Sequence, residues 1–423
     1  MESVDKDRRF GLFMLFLAAL IYFFANLQKV IVPGATFDEL QHAFSLDAAS
    51  VTRLGSAFLY TYAAAQLVVG VLADRFGGER IIIFGGALFC AGSLLSALEC
   101  SLPLLYFSRF LTGMGAAAIY LSIVKEIGRV IPHAIPIAVG IITVIGYSGA
   151  ITGASPFIAG VSRLGYRNMM LATALVTILI YLIYAVSAAR DRGMPPVCRE
   201  VKFNLGAYLA VIRSRQNCFL IIAIGISFGS FFALQSIIGK KFLEDYGGMS
   251  EHAAGIELTA SMIIAALNGF FLASISGLIG NRRRPVMIFS GAGCFVGALM
   301  IFLMVKFDLH CGWAVAGMLL MAFAGNVSPI YVALIRESND DNRFGTVLCV
   351  GNCLAYGISA LLGGVSGMLM DVYEPTVVGN VKIYGQQSYL LVFGVFTLLG
   401  AVALLLSLGI RESYGRRIDW NAD

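Results

Sequence analysis

Ile119-Tyr120-Leu121-Ser122-Ile123-Val124-Lys125-Glu126 closes one long apolar run, and Ile330-Tyr331-Val332-Ala333-Leu334-Ile335-Arg336-Glu337 closes another 211 positions later. Both segments open on Ile-Tyr, continue through small and apolar residues, and finish on a base followed by an acid. The correspondence extends outward. Gly70, Asp74 and Arg75 recur as Gly277, Asn281 and Arg282 at an offset of 207, and Phe23, Phe24, Ala25, Leu27 and Gln28 recur as Phe231, Phe232, Ala233, Leu234 and Gln235 at 207 to 208. Three matches in one order and nearly one register mark a chain built from two copies of a unit.

Composition says what each copy is made of. Of 423 residues, 58% are hydrophobic and only 13% charged, about half the charged share of an ordinary soluble domain. The net charge is +5, and the charges are bunched between long stretches that carry none. About 20 apolar residues cross the hydrocarbon core as a helix. Runs nearly free of charge fall at 11–33, 54–73, 81–98, 104–124, 134–160, 168–189, 217–239, 255–277, 286–305, 312–335, 345–370 and 388–410. They predict an all-α membrane protein of twelve transmembrane helices in two six-helix repeats. Residues 1–189 form the N-terminal six-helix bundle, 190–216 a cytoplasmic linker with Pro195 and Pro196, and 217–423 the C-terminal six-helix bundle. With the N-terminus inside, 21 basic residues fall in inner segments and 7 in outer ones, namely Arg53, Arg163, Arg167, Lys240, Lys241, Lys306 and Lys382. That bias predicts cytoplasmic N- and C-termini. The first run is too long for a signal peptide and is expected to remain as a span. Cys90, Cys218, Cys294, Cys349 and Cys353 lie in apolar runs as packing residues, while Cys100 and Cys311 fall in short outer loops that nothing in the sequence brings together.

Gly70-Val71-Leu72-Ala73-Asp74-Arg75-Phe76-Gly77-Gly78-Glu79-Arg80 resembles the loop signature G-x-x-x-D-R-x-G-x-[RK]-[RK] of the major facilitator superfamily, departing from it at Glu79. Arg109-Phe110-Leu111-Thr112-Gly113-Met114-Gly115 is similar to the same family's R-x-x-x-G-x-G in the fourth span. The resemblance covers essentially the whole chain. It implies two halves that rock about a solute site near the midplane, and a loop that latches the outward-facing state. That latch role passes to Gly70, Asp74, Arg75 and Arg80. The second copy, Gly277, Asn281 and Arg282, is expected to be weaker because Asn281 replaces the acid. Gly70 is expected to admit a close helix, and Asp74 to cap a helix and pair with neighbouring bases.

A charge within a span is costly and should face the bundle interior. Arg109 reads equally as a solute or coupling charge and as an arginine tied to backbone carbonyls. Lys29 shares a helical face with Tyr22, Asn26 and Pro33, a polar stripe that favours a cavity lining over snorkelling to the interface. Tyr62 with Gln66, and Asn352 with Tyr356, are spaced i, i+4 and give two more such stripes. Tyr120, Tyr147, Gln235, Asn268 and Asn326 complete the expected solute-binding set. Asn326 stands where the first half has Gly115, an asymmetry of the kind a ligand site has. Gly146-Tyr147-Ser148-Gly149, Gly153 and Pro156 form an imperfect version of the G-x-x-x-G-P seen in the family's drug antiporters. A serine nucleophile in that string would need a histidine at membrane depth, and His42, His133, His252 and His310 lie in or beside loops. Its glycines read as helix contacts.

No G-x-x-x-x-G-K-[ST] occurs, so the expected driving force is a proton gradient, with no cofactor and no metal. Glu126, Glu257, Glu337 and Asp74 fall near span ends, and both central charges are positive, so the solute itself is expected to supply the negative charge. The expectation is a secondary transporter and not an enzyme. It would carry a small polar solute, an organic acid or amino acid, by alternating access with proton-coupled uptake. The alternatives are a drug or metabolite exporter and a non-transporting sensor. The expected partners are the solute and the lipid bilayer, without nucleic acid, for a monomer in a bacterial inner membrane.

Overall fold

The computed structural model describes residues 2–98, 101–190, 206, 211 and 213–417; most of the 190–216 linker, Cys100 and Cys198 lie outside the described residues. In chain order the first helices are α1 (Glu2–Val30), α2 (Phe37–Phe44), α3 (Ala48–Phe76), α4 (Gly78–Leu98), α5 (Leu102–Val130), α6 (Ile135–Thr152), α7 (Ser155–Leu164) and α8 (Tyr166–Arg190). Then come α9 (Arg215–Ala233), α10 (Gly239–Asp245), α11 (Glu251–Leu278), α12 (Arg284–Phe307), α13 (Gly312–Gly325), α14 (Ser328–Ser338), α15 (Asp341–Met370) and α16 (Gln386–Leu408). An antiparallel hairpin, β1 (Thr376–Val378) and β2 (Val381–Ile383), precedes α16. Among the described residues eleven segments are long and apolar enough to cross a membrane, and the bent pair α6 and α7 makes a twelfth if counted as one span.

Proline opens α5, α6, α7, α12 and α14, at first-turn positions where its missing N–H leaves no bond unmade. Four spans depart from the continuous helix expected. α1 runs into a π-helical turn, Ile31–Ala35, where Val32 leaves the helical region before a cis Pro33. The fifth span bends by 41° between Thr152 and Ser155. The seventh contains a π-helical turn at Leu234–Ile238. The tenth stops at Gly325 and restarts at Ser328. Backbone groups freed in this way must be bonded inside the protein, and three of the four breaks lie beside Arg109, Gln235 or Asn268. The seventh span also continues to Asp245 instead of ending near 239. Lys240 and Lys241 stay helical because Glu244 at 3.6 Å and Asp245 at 2.8 Å neutralise them one turn on.

Backbone packing gives two compact units, Met1–Thr36 with Ala57–Phe203 and Phe37–Ser56 with Asn204–Asp423. In the first, the glycines of the Arg109 motif set the spacing around α5. A Cβ at Gly113 would lie 2.5 Å from the Phe58 carbonyl oxygen of α3, and one at Gly115 would lie 2.5 Å from the Gly85 carbonyl oxygen of α4. Gly115→Val is therefore expected to destabilise the protein by about 1–3 kcal/mol through overpacking. A melting temperature equal to that of the wild type in detergent would show that α4 and α5 do not meet there. Gly70 departs from expectation. Among the described residues nothing lies within 4 Å of where its Cβ would stand, and the same is true of Gly277; the close approach in the first loop falls at Gly78, 2.6 Å from the Ser122 carbonyl oxygen.

In the second unit the first turn of α3 is capped from far along the chain. Asp371 Oδ2 accepts from Ala49 N at 2.6 Å and Oδ1 from Ala48 N at 3.2 Å, and the Tyr384 hydroxyl accepts from Ala48 N at 2.9 Å while donating to Asp371 at 2.7 Å. Otherwise unbonded helix-terminal N–H groups are thereby satisfied.

Candidate functional site

Two cations sit on two rings in the first unit. Phe58 and Tyr62, one turn apart on α3, stack with centroids 6.1 Å apart. The Arg109 guanidinium lies 4.6 Å from the Phe58 ring and the Lys29 ammonium 3.9 Å from the Tyr62 ring. Lys29 is 4% exposed, so it does not snorkel. Its Nζ also lies 3.4 Å from Asn26 Oδ1, Asn26 Nδ2 donates to the Tyr22 carbonyl at 2.9 Å, and Tyr22 stacks on Tyr120 at 5.2 Å. Asn26, Lys29, Tyr62, Arg109 and Tyr120 are thus brought into one linked group. Gln66 is buried one turn beyond Tyr62, with Oε1 unbonded among the described residues, and Tyr147 is half-buried on α6. Phe58 was missed by the sequence reading, although its i, i+4 relation to Tyr62 was visible.

Arg109 is fully buried and divided in its bonding. Nη2 donates to the Val32 carbonyl at 3.0 Å and the Gln28 carbonyl at 3.3 Å, groups released where α1 loses its regular helix. Nε and Nη1 have no hydrogen-bond partner among the described residues. Nη2 is thus the tether, and Nε and Nη1, which lie on different edges of the planar group, remain as separate donors, each suited to a single acceptor oxygen. The neighbouring Gly146 and Gly149 press α6 onto Tyr22 and Phe23 of α1, and Ser148 Oγ donates to the Ile145 carbonyl at 2.7 Å within its own helix.

In the second unit Gln235 Nε2 donates to the Leu258 carbonyl at 2.8 Å. Asn268 Nδ2 donates to the Phe323 carbonyl and, at 3.2 Å, to that of Asn326, whose own Nδ2 donates to the Ala265 carbonyl at 2.7 Å. Asn268 and Asn326 therefore bridge α11 to the gap between α13 and α14. Tyr356 stands edge-on to Phe228 and Phe232 at 5.4 and 5.7 Å, with Asn352 half-buried one turn away. Glu257 needs correction. It lies near a span end in sequence, yet it is 4% exposed, because α11 is already packed in its second turn.

At the loop signature, the Asp74 side chain lies outside the described residues, and Arg75 and Arg80 are exposed. The acid that organises this loop is Glu126. Its Oε1 accepts from Glu79 N at 3.0 Å and its Oε2 from Arg129 Nε at 2.7 Å, while Arg129 reaches Glu79 at 3.3 Å. Glu79, the departure from the signature, belongs to this network. In the second copy Asn281 adopts a φ of +57°, a left-handed conformation that asparagine tolerates, and Arg282 lies 5.9 Å from the Tyr414 ring. Glu337 there receives Arg283 at 3.3 Å and the Ser413 hydroxyl at 2.6 Å. Glu126 and Glu337 are equivalent positions of the duplication, and each holds a guanidinium.

A second charged group joins Phe37–Ser56 to α10. Lys241 is fully buried between Asp38 at 2.7 Å and Asp245 at 2.8 Å, and Lys240 pairs with Glu251 at 3.2 Å. Burial pushes the nearby Glu39 carboxyl above the usual carboxylate range, against the opposing pull of Lys240.

Helical units with broken spans, and with buried charge and polar side chains at the breaks, define a polytopic membrane protein. The chain belongs to the major facilitator superfamily, whose profile matches residues 12–364. It is 34% identical over 107 residues to the methylenomycin A resistance protein of Bacillus subtilis, covering 25% of this chain and 23% of that one. It is 38% identical over 85 residues to the 3-(3-hydroxy-phenyl)propionate transporter of Escherichia coli, covering 20% and 21%. These two matches thus span less than a quarter of each relative. Multidrug resistance protein D of Escherichia coli matches over 95% of this chain and 96% of its own, at 22% identity. Two solved folds are similar. A POT family transporter in complex with thioalcohol conjugated peptide has a TM-score of 0.75 at 14% identity, covering 94% of both chains. A D-xylose-proton symporter has a TM-score of 0.74 at 15% identity, covering 96% of this chain and 100% of that one. These two likenesses show that the chain shares its fold with solved membrane transporters.

Proposed function

We propose that this transporter takes up a small organic anion or zwitterion by proton symport across a bacterial inner membrane, acting as a monomer with both termini cytoplasmic. The observation that carries this reading is Arg109: a fully buried guanidinium whose Nε and Nη1 remain unbonded among the described residues. A solute carboxylate oxygen would accept from one of those donors, with Lys29 at the far end of the Phe58–Tyr62 stack and Asn26 and Tyr120 beside it. The transporter for 3-(3-hydroxy-phenyl)propionate among the relatives supports a carboxylate solute. Purified protein screened by thermal shift against amino acids, organic acids, nucleosides and sugars is expected to respond to carboxylates, since a ligand of the folded state raises apparent stability. Stabilisation by sugars or nucleosides alone would remove the anionic reading.

Export is the second reading, favoured by the relatives named for resistance to methylenomycin A and to multiple drugs. It requires that cells lacking the gene become more sensitive to a compound panel, whereas uptake predicts that they fail to accumulate the solute.

A further inference from the structure

The second unit holds a carboxyl that none of the contacts described so far employs. Glu257 lies in the second turn of α11 and is 4% exposed. Its Oε1 accepts from the Ser261 hydroxyl at 2.8 Å, and its Oε2 is buried with no hydrogen-bond partner among the described residues. Helical spacing puts Ser261, Ala265 and Asn268 on the same face, and all three are buried. That face ends at the gap between α13 and α14, through the bonds of Asn268 and Asn326. A polar stripe thus runs from the carboxyl to a broken span.

The charges around it are committed elsewhere. The elements packed against α11 are α10, α13, α14 and the Leu234–Ile238 turn. Of these, α10 carries Lys240, Lys241, Glu244 and Asp245, and α14 carries Tyr331, Arg336 and Glu337; α13 and the turn carry no titratable group. Lys240 pairs with Glu244 and Glu251, Lys241 with Asp38 and Asp245, and Glu337 with Arg283, while Arg336 is exposed. The α11 residues Glu251 and His252 stand a turn or more back. Among the described residues none of these bonds to Glu257. An ionised carboxylate left so would carry a desolvation cost with no cation to offset it. A metal ion would need several oxygens, and no group of three acidic, histidine or cysteine side chains that could hold one is present among the described residues.

We propose that Glu257 is the proton-binding carboxyl of the transport cycle. The proton bonds to Oε2, taken from water when the stripe is open to one side and returned to water when it opens to the other. The Ser261 hydroxyl remains the donor to Oε1 throughout. This rests on the proton-symport reading and gives it a residue.

The test is infrared titration of the full-length protein in lipid vesicles, which needs no solute. Wild type is expected to show the carbonyl stretch of a protonated carboxyl at neutral pH. That stretch should bleach on alkalinisation to the same extent in sodium and potassium salts. Glu257→Gln should lose that one band, and Ser261→Ala, which keeps the carboxyl, should shift its frequency. Identical spectra for wild type and both variants would overturn the assignment, as would bleaching by sodium at constant pH. If the band behaves as expected but wild-type vesicles accumulate solute equally with and without a pH gradient, the symport reading fails while the protonated site stands.

Discussion

Lys241→Met is expected to lower folding stability by about 3–5 kcal/mol, the cost of removing one partner from a buried ion pair. The ammonium is fully buried at 2.7 Å from Asp38 and 2.8 Å from Asp245. Asp245 is also fixed through Oδ2 by the Tyr384 backbone N–H at 2.9 Å and the Tyr389 hydroxyl at 3.1 Å. Without Lys241, two carboxylates would face each other with no compensating cation. Removing the acids as well, in Lys241→Met with Asp38→Asn and Asp245→Asn, should recover most of the loss, because a fully neutral cluster has no uncompensated charge. Melting of the detergent-purified proteins reads both effects. A single variant within about 0.5 kcal/mol of wild type, or a triple variant no better than the single one, would show that the cluster is not a coupled buried unit.

The cluster also shows where the sequence stops being legible. Apolar run length carries the membrane class, the duplicated Ile-Tyr and base-acid segments carry the two-copy chain, and the Gly70–Arg80 and Arg109–Gly115 motifs carry the family resemblance, all of them local or periodic signals. Lys240 and Lys241 looked like loop residues because their neutralising acids Glu244 and Asp245 add charge to the same stretch, which ends an apolar run on paper while completing a buried turn in space. Glu257 reads from the sequence as a span-end residue because it stands near the start of its apolar run. Its burial is set by α13 and α14 as well as by the preceding α10, and the first two are distant in the chain. The breaks in spans 1 and 10 were equally hidden, since a break within an apolar stretch is tolerable only where a distant side chain accepts or donates the freed bonds. Arg109 and Asn268, both picked out as polar residues in spans, supply those bonds. The tie to backbone carbonyls is one of the two readings the sequence offers for Arg109; which carbonyls it ties, those of Val32 and Gln28, depends on a fold that one sequence does not display.

Arg109→Leu is expected to be the most damaging single change in the first unit. It removes both bonds to the Val32 and Gln28 carbonyls, each worth about 1–3 kcal/mol when the carbonyl is left buried and unbonded. It also removes the stacking on Phe58 at 4.6 Å, on the order of 2 kcal/mol for a desolvated cation on a ring. Arg109→Lys keeps the charge without the planar fork and should fall between wild type and Leu, because a flexible ammonium does not reproduce the fixed donor geometry of the guanidinium. A Leu variant as stable as wild type would mean that the carbonyls of α1 are satisfied without Arg109. The unbonded Nε and Nη1 make a separate prediction. Once a carboxylate ligand is found, the acid and its uncharged amide should be compared on wild type, Lys29→Gln and Arg109→Gln at matched thermal stability. A guanidinium that binds the solute weakens the acid far more than the amide on mutation, with a coupling above about 1 kcal/mol. A guanidinium that only tethers α1 weakens both forms alike. Equal losses for acid and amide in both variants would leave Arg109 and Lys29 as structural charges, and the solute would then need no carboxylate.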